Sequence, residues 1–194
     1  MKATQKVISK RIVVIVVSEV IKITEFVIPF WNLFTTLLFL GCSSNEKYSS
    51  NEGIVSIDYL FNSKNTQWFE NNYESYNLDI NTLNNDFSNI YEYQIEIYMN
   101  TKCHDSEREV PRLIKILDEL NFSEDNLKIV LLNSEKKSSG GYENGKNITN
   151  TPTFIFLNES GEKNRIVEFP FENLEKDILN IINNKDYKHV YYSE

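Results

Sequence analysis

The chain has 194 residues, 41% of them hydrophobic, and a formal net charge of -8. That is enough apolar material for one domain with a buried core plus a leader, and too little chain for several domains. With 20 basic residues against 28 acidic ones, no basic stripe is available to displace counterions from phosphates, which argues against a nucleic-acid binder.

Taken in chain order, Lys2, Lys6, Lys10, Arg11 and Lys22 precede an uncharged apolar stretch from Phe26 to Gly41, the basic-then-apolar order of an export signal. The stretch ends at Phe39-Leu40-Gly41-Cys42-Ser43-Ser44-Asn45, which resembles the lipobox of bacterial lipoproteins. The resemblance implies a signal peptide over 1–42 and a diacylglyceryl group on Cys42 as the first residue of the mature protein. It places the protein in the bacterial cell envelope, lipid-anchored and periplasmic or surface-exposed. Phe39 stands where the family usually has leucine, and Glu19 and Glu25 interrupt the basic region. An uncleaved signal anchor is the alternative, and it too puts the domain outside the cytoplasm. Residues 43–53 lack any large aliphatic side chain and are expected to form a flexible tether.

Residues 54–91 read as a helical extension, with Ile54, Ile57, Leu60 and Phe61 at helical spacing and Ile80, Leu83, Phe87 and Ile90 likewise. Trp68, Phe69, Tyr73 and Tyr76 between them are an aromatic cluster suited to packing helices on a sheet. The domain proper is expected over 92–194. Ile95, Ile97 and Met99 alternate with Gln94, Glu96 and Tyr98, the period of a strand. From His104 to Leu120 the apolar positions Val110, Leu113, Ile114, Leu117 and Leu120 keep to one helical face, with Thr101 as the expected N-cap. The unbroken apolar run Leu127 to Leu132 predicts a strand buried on both faces of a parallel sheet, and strand, helix, strand in that order predicts a right-handed crossover. A long polar loop over 134–150 lacks a phosphate-loop ending. Thr153 to Leu157 and Arg165 to Phe169 predict a hairpin, and Glu172 to Asn183 a closing helix. The aromatic tail from Tyr187 to Tyr192 has no assignable place.

Chemistry concentrates at Cys103, the one cysteine beyond Cys42. It opens Cys103-His104-Asp105-Ser106 between a strand and a helix, where unsatisfied backbone N–H groups and the helix dipole favour an anionic, nucleophilic sulfur. Ser106, one turn later, is placed to donate a hydrogen bond to that sulfur. His104 is a neighbour on the helix and faces another way, so it forms no dyad with Cys103. Thr151-Pro152 lies at the mouth of the next apolar strand. Cys103 after a strand, Pro111 eight residues on, and Pro152 before the next strand together resemble the thioredoxin-like family over roughly Tyr93 to Asn183. The resemblance implies an α/β fold with a central mixed sheet flanked by helices, a cis bond before Pro152, and a peptide-facing ledge at Thr151 and Pro152. Ser106 stands where the family has its resolving cysteine, Lys102 replaces the usual tryptophan, and Ile97 the buried acid. Without a second thiol, intramolecular release of a mixed disulfide is impossible. Two functions follow as expectations: monothiol exchange at Cys103 with a protein or small thiol, or a redox-inactive module binding an extended partner along Thr151-Pro152. No cofactor is implied. One cysteine with His104 and His189 is too small a set for a metal site.

Overall fold

The computed structural model describes residues 52–193. The signal segment, Cys42 and the tether up to residue 51 lie outside the described residues. The chain enters as strand β1 (Gly53–Val55), followed by helices α1 (Ile57–Asn62), α2 (Phe69–Ser75) and α3 (Ile80–Leu83), and a 3-10 turn at Ser88–Glu92. Then come strand β2 (Gln94–Met99), helix α4 (His104–Glu119), strand β3 (Leu127–Leu131), strands β4 (Thr153–Asn158) and β5 (Gly161–Val167), and helix α5 (Leu174–Ile182). Among the described residues no helix is long and apolar enough to cross a membrane.

The five strands form one mixed sheet in the order β1-β3-β2-β4-β5, flanked by helices. β2 and β3 run parallel with α4 as the crossover, which satisfies the requirement that parallel neighbours be joined by a long connection. β2 pairs antiparallel with β4, and β4 with β5 across the two-residue turn Glu159-Ser160. Gly161 comes after that turn at φ 99°, a left-handed value that side chains disfavour.

β1 corrects the expectation that the helical extension begins at Ile54. Residues 53–55 pair antiparallel with β3, and the helix starts only after Ser56, whose hydroxyl accepts from the Tyr59 N–H at 3.2 Å. Three residues are too few for a two-residue period to show, and Ile54 with Ile57 matches helical spacing by coincidence. The sheet separates them: Val55 joins the helix-side core, whereas Ile54 packs on the opposite face.

The helix-side core takes Ile95, Ile97 and Met99 from β2, Ile129 and Leu131 from β3, and Phe154 and Phe156 from β4. Against them pack Leu60 of α1, Phe69 of α2, Val110 to Leu117 of α4 and Ile178 to Ile182 of α5. Tyr98, Val130, Leu132 and Ile155 face the other way. The β3 segment is therefore buried on both faces as its composition requires, but its second face is closed by the 133–150 loop, with Ile148 packed on this smaller cluster. The Tyr98 hydroxyl, 2.8 Å from the Glu96 carboxylate and 3.0 Å from the Tyr142 carbonyl, shares its one proton between strand and loop. Lys146 at 2.7 Å and Lys128 at 3.3 Å close the network on Glu96. Burial pushes the Glu96 carboxyl up, but these hydrogen bonds and charges outweigh it and hold the group below its ordinary value.

Pro111 sits inside α4 and has no N–H for the Glu107 carbonyl one turn back. Asn72 of α2 supplies the missing donor, its side-chain amide lying 2.9 Å from that carbonyl. At the far end of the extension the buried Glu175 of α5 accepts from the Tyr76 hydroxyl at 2.9 Å and the Asp79 N–H at 3.0 Å. The extension is thus bound to both long helices by polar groups as well as by its rings. Asn72→Ala is expected to cost about 1 kcal/mol in urea unfolding, and to cost much less in a Pro111→Ala background, where the restored N–H serves the carbonyl. Equal costs in the two backgrounds would show that the amide is not replacing the helix bond.

Candidate functional site

β2 ends at Met99 and α4 begins at His104, so four residues must turn the chain through the sheet edge. Asn100 organises that turn. Its carbonyl accepts from the Cys103 N–H at 3.0 Å, its side-chain oxygen from the Lys102 N–H at 2.8 Å, and its side-chain amide donates to the Leu132 carbonyl at 2.9 Å. An asparagine between strand and helix is a turn signal, and that is the cue by which sequence reasoning could have found it.

Cys103, not Thr101, is the N-cap of α4, with extended backbone (φ -91°, ψ 121°) and no side-chain cap hydrogen bond. Its carbonyl accepts the first helical bond, from the Glu107 N–H at 2.9 Å. Helices prefer a side-chain oxygen at this position to receive N–H groups of the first turn, so here a sulfur occupies the oxygen's place. Cys103 is partly exposed and belongs to neither apolar cluster.

The sulfur's partner comes from the other side of the sheet edge. Cys103 Sγ donates to the Thr151 carbonyl at 3.0 Å, and Thr151-Pro152 is a cis peptide bond. The Thr153 hydroxyl donates to the Asn150 carbonyl at 2.7 Å, and the Pro152 carbonyl accepts from the Glu168 N–H at 2.7 Å. The segment before β4 is thus tied to the chain on both sides. Cys103 and Thr151 line an open cleft of about 500 Å³ together with Asn100, Lys102, Leu132 and Asn133. Its lining mixes polar and charged side chains, Lys102 and Lys136 among them, with the apolar Leu132.

Ser106 does not serve the sulfur as expected. It is fully buried, and its oxygen accepts from the Asn100 N–H at 3.3 Å, which bonds the first turn of α4 back to the strand end. A hydroxyl's position in the sequence does not reveal that an unpaired backbone N–H lies beneath it. His104 is exposed and lines a second cleft, on the α2 side of α4, with Arg108, Arg112 and Trp68. His189 lies in the tail, where burial lowers its ordinary value. Neither histidine lines the cleft that holds Cys103.

The aromatic tail, for which the sequence offered no position, returns to this end of the sheet. The Tyr191 hydroxyl donates to the Glu168 carboxylate, and Glu168 is the residue bonded to Pro152. The hydrogen bond to Glu168, with slight burial and the negative charges of Glu168 and Asp105, pushes the Tyr191 phenol above its ordinary value. Asp105 is in the first turn of α4.

Family models and curated proteins offer no match to the chain. A crystal structure of a protein of unknown function from Pseudomonas aeruginosa superimposes on it with a TM-score of 0.45 at 13% sequence identity, covering 63% of this chain and 86% of that one.

Ser106→Ala leaves the Asn100 N–H without its acceptor and is expected to lower stability by about 1 kcal/mol while leaving the rate of Cys103 alkylation by iodoacetamide unchanged. A slowed alkylation at unchanged stability would return Ser106 to the sulfur.

Proposed function

We propose that β1 and residues 92–194 form a thioredoxin-like domain, with residues 57–91 as a helical segment added to it, and that Cys103 performs monothiol disulfide exchange in the cell envelope. The observation that carries this reading is the 3.0 Å contact between Cys103 Sγ and the Thr151 carbonyl. It sets a partly exposed sulfur at a helix N-cap, beside a strand entrance, in an open cleft. Strand order, the β2-α4-β3 crossover and the closing β4-β5-α5 unit are compatible with that family.

The chemistry needs no cofactor. Cys103 loses its proton to solvent and attacks one sulfur of a partner disulfide. The partner's S–S bond breaks, a bond from Cys103 to one partner sulfur forms, and the other sulfur leaves as a thiolate. Among the described residues Cys103 is the one free cysteine, so an outside thiol must attack the mixed disulfide and regenerate Cys103. Each exchange conserves the number of disulfides, and the domain acts as a carrier between partners.

A second reading keeps the cleft and discards the exchange. The thiol proton is already engaged by Thr151, and Ser106 in the resolving position is sealed in the fold, as suits a redox-inactive module that binds an extended partner along Thr151 and Pro152. Incubation with oxidised glutathione separates the two. Exchange predicts one glutathione adduct on wild-type protein, absent from Cys103→Ser and removed by dithiothreitol. No adduct, together with equal partner capture by both proteins, favours the binding module.

Membrane attachment through a lipidated Cys42 is part of the same proposal, resting on the lipobox-like segment. Cells fed an alkyne-tagged palmitate are expected to label the wild-type protein and not Cys42→Ser, with the variant lost from the membrane fraction. Unlabelled wild type still held in that fraction would favour the signal anchor.

A further inference from the structure

The β5-α5 connection and the tail expose three large rings to water, beyond the residue, Glu168, that is bonded to Pro152. Phe169, Phe171 and Tyr191 are 38%, 70% and 48% exposed. Exposed apolar rings cost solubility, and when grouped they mark interaction surfaces. Polar groups hold this group in place. The buried Asp177 carboxylate accepts from the Phe171 N–H at 2.6 Å, the Glu172 N–H at 3.2 Å and the Tyr187 hydroxyl at 2.8 Å, fastening both the connection and the tail to α5. The Phe169 and Tyr191 rings meet edge to face with centroids 6.2 Å apart. Glu168 lies under them, bonded through its N–H to Pro152 and through its carboxylate to Tyr191. A continuous path of contacts therefore runs from Cys103 through Thr151, Pro152 and Glu168 to the rings.

The charges around this rim are unequal in their neutralisation. Asp105 pairs with Arg108 at 2.6 Å, and Glu172 with Lys176 at 3.0 Å. No salt bridge among the described residues engages Glu168, whose partner is a neutral phenol. A carboxylate with no salt-bridge partner among the described residues, held by the Tyr191 hydroxyl at the Phe169–Tyr191 ring pair, attracts a Lys or Arg side chain through its charge, and the rings offer that cation a second attraction. The net charge of -8 adds long-range attraction for a basic partner.

We infer that this rim selects the partner of Cys103: a protein segment with Lys or Arg close to its cysteine, the cation seated against Glu168 and the Phe169 and Tyr191 rings, and an apolar neighbour on Phe171. The inference rests on the exchange reading and names the substrate class for it. The step balances as before: the segment's disulfide breaks, a bond from Cys103 to its cysteine forms, and the second sulfur departs as thiolate.

The test uses the full chain and two short peptides, each with one cysteine in mixed disulfide with thionitrobenzoate, identical except for Arg or Glu beside the cysteine. Release of the coloured thiolate gives the rates, and the uncharged disulfide of 2-mercaptoethanol measures exchange independent of the rim. The Arg peptide is expected to react about tenfold faster than the Glu peptide, with the ratio falling in high salt. Glu168→Gln should reduce that ratio, and Phe171→Ser should slow both peptides relative to the uncharged disulfide; the 70% exposure of Phe171 leaves the fold of its variant little affected. Equal rates for the two peptides, with the uncharged disulfide still reacting, overturn the rim assignment and leave exchange standing. A ratio that Glu168→Gln preserves overturns it too. No reaction with any disulfide overturns both.

Discussion

The antiparallel pairing of β2 with β4 is the constraint on which the site depends. Its register sets Tyr98 opposite Thr153, so the carboxyl end of one strand lies beside the amino end of the other. The turn leaving β2 and the segment entering β4 must then meet at the same sheet edge. Asn100 to Cys103 forms that turn, and Thr151-Pro152 leads into β4. The contact between Cys103 Sγ and the Thr151 carbonyl is a consequence of that register, given a turn tight enough to bring the helix N-terminus back over the edge. A slip of one residue would turn Phe154 and Phe156 out of the core. The packing of two phenylalanines thus protects the geometry of a sulfur they do not touch.

Much of this was legible because burial imposes a period. β2, α4, β3 and the β4-β5 hairpin each carry enough apolar residues to declare a face, and their boundaries moved by only a few residues. β1 was not legible, since three residues do not declare a period, and its pairing with β3 is decided by a segment far along the chain. The roles of Ser106 and Asn100 were hidden for a different reason. Both are short polar side chains whose partners are backbone groups brought close by the turn, and composition does not show where an N–H or carbonyl lacks a partner. The tail was illegible because its ties, Tyr187 to Asp177 and Tyr191 to Glu168, are single hydrogen bonds between distant positions.

Polar accounting also explains why the extension packs on the domain when its helices are so short. Helices of four to seven residues are too short to hold on their own propensity. Pro111 leaves a carbonyl of α4 in need of a donor, and α2 provides it through Asn72. Lys115 reaches back to the Glu74 and Tyr76 carbonyls at 3.0 and 2.8 Å, filling acceptors at the end of α2. The edge-to-face rings of Phe61 with Phe69 and Tyr73 hold α1 against α2 within the extension. The extension stabilises α4, and α4 positions Cys103.

The resting hydrogen bond at the site ties recognition to reactivity on the proposed reading. While Cys103 donates to the Thr151 carbonyl, the proton stays on sulfur and the nucleophile is withheld. An extended chain entering the cleft offers its own N–H groups to the strand entrance, and Thr151 is the acceptor it meets there. As that N–H takes the carbonyl, the thiol loses its partner. The sulfur is then left at the N-terminus of α4, where it makes no side-chain cap hydrogen bond. A disulfide in the arriving chain would then lie beside a sulfur whose hydrogen bond its own docking has released, whereas a small disulfide that ignores the ledge must displace that bond unaided and reacts more slowly. Among the described residues no second cysteine is present to release a wrong adduct, and a thiol kept engaged until a partner docks limits such adducts.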